Sequence, residues 1–208
     1  MKMGVVWMVM CLSLCLQALL VAQTLEPMPV EPPEEPTGET LVANPLYDNW
    51  ALFGVGTSVD QTIVTKTDEG EVKVLATLVL KSIDDKQAVV SMTRKVVAAN
   101  GEVTQPAEEV LIPKRVTQAE ADGYLNPPGK VGEGEEVLEV LGKKIKARWV
   151  EVKKEDATGS VVTRIWMSAG QGEEDVIPGM LVKMSIKSEG LLAFTTEMSI
   201  TGVEVKAN

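Results

Sequence analysis

Acidic side chains are the residues of this chain best suited to chemistry. Glu173-Glu174-Asp175 stand together in a Gly-rich stretch, and Asp84-Asp85 fall in a predicted turn. Paired carboxylates divide acid and base roles when burial raises the pKa of one of them. Both groups lie among turn residues, where carboxylates stay solvated and nothing raises a pKa. Either could offer oxygen ligands to a weak Ca²⁺ site, but neither has the spaced ligands of an EF-hand loop, so no metal is expected. Gly54-Val55-Gly56 lacks the further glycine and long helix of a dinucleotide-binding turn. Ser168 and Ser185 have no lysine three residues on, as an S-x-x-K nucleophile would require.

The missing residue types exclude more. The 208 residues contain no histidine, and the only cysteines are Cys11 and Cys15, both within the N-terminal apolar run. Ser/His/Asp and Cys/His machinery therefore have no parts, and the commonest transition-metal ligand is gone. We expect a non-catalytic protein without cofactors; carboxylate-based hydrolysis is the enzymatic route left open. The formal net charge of −10 argues against nucleic acid, which is bound by neutralising phosphates, and against docking on anionic membranes.

The elements that carry these residues begin behind a leader. Lys2, an apolar run from Val5 to Leu16 and a tail ending at Ala22 have the layout of a secretory signal peptide, residues 1–22. The run is short for a bilayer span, so no transmembrane helix is expected in the mature chain, which is read as periplasmic or extracellular. Residues 23–43 hold many prolines and glutamates and no basic residue, the composition of an extended, solvated tether. The domain then occupies residues 44–208.

Asn44-Pro45 predicts the cap and first position of a short helix, with Leu46, Tyr47, Trp50 and Phe53 as an aromatic plug. From Thr57 the periodicity is that of strands. Val72, Val74, Ala76, Leu78 and Leu80 share one face, against Lys73, Thr77 and Lys81 on the other. Asn100-Gly101 is a hairpin turn signal. Residues 113–134 read as an irregular middle, with capping-box spacing at Thr117–Glu120 predicting a short helix. Further strands follow to Val205. The expected fold is mostly β: one curved antiparallel meander of about nine strands, a half-barrel or open barrel, with one or two short helices.

Several strands are apolar on both parities: Leu75 and Val79 oppose Val74 and Leu78, and Val150 and Val152 oppose Trp149. An antiparallel sheet with one wet face alternates cleanly. Two apolar faces mean either an ordinary barrel or sandwich core, or a curved sheet whose concave side holds a plug or a greasy ligand. Trp50, Phe53, Trp149, Trp166 and Met184 are the candidate lining of such a site. The partner is then an apolar or lipid ligand or, for a structural domain of the cell envelope, another protein.

One segment carries a resemblance. Trp166-Met167-Ser168, a loop, and Ile177-Pro178-Gly179-Met180-Leu181-Val182-Lys183 are similar to a pattern in exported proteins of planctomycete-type bacteria. Gly142–Glu151 and the Trp50…Gly56 opening fit the same proteins. The segment also resembles periplasmic lipoprotein-carrier (LolA-like) domains over about 40 residues. That resemblance implies an open, curved sheet with helical plugs and an apolar concave face that shields acyl chains.

Overall fold

The computed structural model describes residues 40–99, 101–169, 176–191 and 193–207. The leader and its cleavage point, nearly all of the tether, Asn100 and the acidic group Glu173-Glu174-Asp175 lie outside these residues.

The elements in order are β1 (Leu41–Ala43), α1 (Pro45–Trp50), β2 (Ser58–Thr67), β3 (Gly70–Ile83), β4 (Gln87–Ala98), β5 (Gly101–Pro113) and β6 (Arg115–Thr117). There follow α2 (Gln118–Leu125), β7 (Lys130–Val140), β8 (Lys143–Asp156), β9 (Gly159–Ser168), β10 (Leu181–Gly190) and β11 (Phe194–Glu204). Nine strands form one open antiparallel sheet in the order β5-β4-β3-β2-β11-β10-β9-β8-β7. Two meanders, β2–β5 and β7–β11, thus meet where β2 pairs with β11. The expected class, strand number and pair of short helices are all present.

Both helices start where local chemistry dictates. The Asn44 side chain accepts from the Leu46 N–H at 3.0 Å and Pro45 needs no partner for a missing donor. Thr117 and Glu120 satisfy each other's backbone N–H groups in a complete capping box. The span 113–134 departs from expectation. It is a crossover in which β6 pairs with β1, the α2 turn follows, and β7 already runs from Lys130. Gly132 and Gly134 read as loop residues, yet they sit in a strand because the Trp149 indole lies across them. A Cβ on Gly134 would come within 2.9 Å of that ring.

Register fixes the faces. Val59, Ile63, Val74, Leu78, Met92, Val96, Met198 and Met184 share one face, called the inner face here. The main core surrounds Trp50, which is 1% exposed, with Leu46 and Tyr47 of α1. It draws on the inner face through Val59, Leu80, Val90 and Ile112. It also draws on the opposite face of β8 and β9 through Ile145, Ala147 and Trp166. Twist of about 20–25° per strand pair, with bulges at Leu80–Ser82, Leu181–Lys183 and Ile200–Gly202, lets one sheet present opposite faces to one core. That is why both parities of β8 are apolar.

Candidate functional site

An apolar rung crosses the inner face. In register order it runs Val103 on β5, Val96 on β4, Val74 on β3, Ile63 on β2, Met198 on β11, Met184 on β10, Ile165 on β9 and Val150 on β8. Cross-strand partners on a shared face touch directly, so the rung is a continuous apolar track. Ile63, Val74, Met184, Ile186 and Met198 form a second core, separate from the one around Trp50, with Val96, Val161, Ile165, Leu181 and Phe194 against it. Each of these residues lies on a strand of the sheet. Met198 is 1% exposed and Met184 2%.

The rungs on either side of this track mix polar with apolar residues. Towards the β10–β11 turn run Thr65, Thr196, Ile186 and Thr163, with the Thr65 and Thr196 hydroxyls 2.9 Å apart. Towards α1 run Gln105, Arg94, Ala76 and Gln61. Arg94 is 8% exposed, and its Nη2 donates to Glu108 Oε2 at 2.7 Å. Its Nε is buried with no hydrogen-bond partner among the described residues. The sequence held a sign of this group. Val90, Met92, Arg94 and Val96 alternate along β4, and one charge interrupts the apolar parity.

The residues singled out from the sequence do not converge on one site. Met184 stands on the rung, between Met198 and Ile165. Trp50 and Trp166 belong to the main core, with Trp149 packed against it. Phe53 is buried just past α1. Trp149 and Trp166 are register partners on the face opposite Met184. There they make a cation–aromatic cluster. The Arg164 guanidinium sits 4.5 Å from the centre of the Trp149 ring and 5.7 Å from that of Trp166, and Lys183 Nζ is 4.9 Å from the Trp166 ring. Glu151 holds Arg164 through Nε and Nη2 at 2.9 and 2.6 Å, and Trp166 Nε1 donates to Glu136 at 2.8 Å.

Among the described residues, the carboxylates whose pKa is shifted are held below their ordinary range. Glu133 and Glu135 line a polar pocket of about 280 Å³ with Gly134 and Arg148. Arg148 and then Lys130 hold the Glu133 carboxyl below its ordinary range, which keeps it ionised and ion-paired. Asp84 accepts from the Gln87 and Lys86 N–H groups at 2.8 Å each, and these bonds lower its pKa as well. Among the described residues no three Asp or Glu side chains are placed to hold a metal ion. None of the described helices is long and apolar enough to cross a membrane.

Neither a family model nor a curated protein matches the chain. Solved structures do. LprF from Mycobacterium bovis is 12% identical, with a TM-score of 0.34 over 76% of this chain and 90% of that one. An outer membrane lipoprotein-sorting protein domain from Vibrio parahaemolyticus is 8% identical, with a TM-score of 0.27 over 76% and 89%. A LolA superfamily protein from Nitrosomonas europaea is 12% identical, with a TM-score of 0.24 over 80% and 95%. At these scores no residue role passes from those proteins to this chain.

Proposed function

We propose that this chain is an exported, non-catalytic binding module that shelters an apolar chain along the inner-face rung. The carrying observation is the second core: a track of Val, Ile and Met residues along the sheet, buried apart from the core around Trp50. Opening such a core exchanges apolar contacts with side chains for apolar contacts with a ligand, so the exposed area need not rise. Met184 and Met198 suit that exchange, because unbranched thioether side chains repack at small cost. Trp50, Phe53 and Trp166 then close the end near α1, leaving Met184 as the lining residue among those read from the sequence.

Pairing through a sheet edge, the structural alternative, is disfavoured. β5 carries Pro106 and exposed Glu102, Glu108 and Glu109, while β7 carries exposed Glu133, Glu135, Glu136 and Glu139. Charges and proline are what protect an edge from a further strand. The test is titration of the full chain with N-phenyl-1-naphthylamine, an uncharged apolar fluorophore. Saturable uptake near one per chain is expected, weakened at least tenfold by Val96→Glu at the half-buried end of the rung. Circular dichroism confirms that the variant is folded. Absence of saturable uptake by the wild-type chain overturns the reading.

A further inference from the structure

We infer that Arg94 is the subsite for the headgroup of an amphiphile, so that the ligand is an apolar chain ending in one oxyanion. The inference rests on the binding-module reading and narrows its ligand class. A guanidinium is among the side chains least often buried, and it is kept inside only when its donors are met. Arg94 is more than nine-tenths buried and aims into the inner face. Yet its Nε has no acceptor among the described residues, and the one carboxylate on it, Glu108, has a side chain 60% exposed.

That asymmetry decides the argument. A structural ion pair in a core buries both partners, because burying one charge alone is the unfavourable case. Here the cation is buried and the anion stands in water, free to turn outward at small cost. Turning outward presents Nε and Nη2 side by side, the fork that accepts a carboxylate or phosphate on two oxygens. The surroundings fit a headgroup. Ala76, the register partner of Arg94, is small and 2% exposed, and Gln105 and Gln61 supply amide donors in the same rung. One rung further lies the apolar track, with Val96 two residues from Arg94 on the same face. A ligand with its oxyanion at Arg94 therefore lays its chain along Val74, Ile63, Met198 and Met184.

Displacement of N-phenyl-1-naphthylamine from the full chain by laurate, 1-dodecanol and acetate tests this. Laurate is expected to bind at least tenfold more tightly than dodecanol, with acetate failing to compete, since chain and charge are both needed. Arg94→Gln weakens laurate at least tenfold and dodecanol much less, which removes the preference. Arg94→Lys, which keeps a charge and covers any misfolding of the glutamine variant, retains part of the preference. Glu108→Gln, which removes only the exposed competitor, tightens laurate binding. Equal affinity for laurate and dodecanol in the wild type overturns the headgroup site, as does a preference that survives Arg94→Gln, or Glu108→Gln that leaves laurate unchanged. If the fluorophore binds and only the preference fails, the binding module stands without this subsite; if nothing binds, both fall.

Discussion

Trp149 and the two glycines beneath it show how tightly single residues are specified. A Cβ at position 134 would lie 2.9 Å from the indole, and one at 132 would lie 3.3 Å from it. Gly134→Ala should cost about 1–3 kcal/mol as an overpacked contact, and Gly132→Ala less, measured by urea denaturation. Equal costs would show that backbone freedom, not the ring, sets the requirement. Asp84 makes a prediction about acid. Its pKa is lowered in the fold, so its contribution is present above the ordinary carboxylate range and is lost as pH falls through the folded-state value. Glu133, Asp156, Glu189 and Glu204 are shifted the same way. Stability should therefore fall below about pH 4, and Asp84→Asn should lose less on acidification than the wild type. At this scale the sequence was partly legible. Arg94 broke a visible alternation, whereas Gly132 and Gly134 are explained by a ring on the next strand, which no local pattern announces.

At the scale of elements, Asn49 ties α1 to the segment that leads into β10. Asn49 Nδ2 donates to the Ile177 carbonyl at 3.2 Å, and its Oδ1 accepts from the Gly179 N–H at 2.7 Å. Asn49→Ala would strand the Gly179 N–H, while the Ile177 carbonyl keeps the Met180 N–H at 3.0 Å, and should cost about 1–3 kcal/mol in a denaturant melt. Thr117→Ala removes one half of a capping box and should cost about 1 kcal/mol. A reversed order of these two costs would mean that α1 is not the plug of the main core. Caps and turns are short-range chemistry, which is why Asn44-Pro45 and Thr117–Glu120 announced both helices. The β1–β6 pair is the opposite case. Three residues on each side, Leu41–Ala43 and Arg115–Thr117, are joined across most of the first meander, and neither triplet is distinctive alone. The apolar parities of β8 were visible, but their cause, a switch of the buried face along the strand, depends on twist accumulated over the whole sheet.

For the whole molecule, the alternation and turn spacing specified an open meander because each hairpin is local; the order in which the two meanders join was not legible. Electrostatics at this scale works mildly against the fold. The net charge is −10, and most ion pairs are solvent-exposed, such as Lys66–Glu71 and Lys146–Glu135. Exposed pairs contribute little, while like charges repel over the whole surface. Raising salt from about 0.05 to 0.5 M should leave the melting temperature unchanged or raise it by a few degrees. A fall would mean that ion pairs are net stabilising.

The β2–β11 seam also has a mechanical consequence. Ser58 and Glu204, near the two ends of the folded domain, are direct partners, and Gly54 N–H donates to the Lys206 carbonyl at 2.8 Å just beyond them. Tension between the chain termini would load these antiparallel strands from the same end. It would peel their hydrogen bonds in turn rather than shear them together, so the domain resists heat as one body but yields to a pull like a zip.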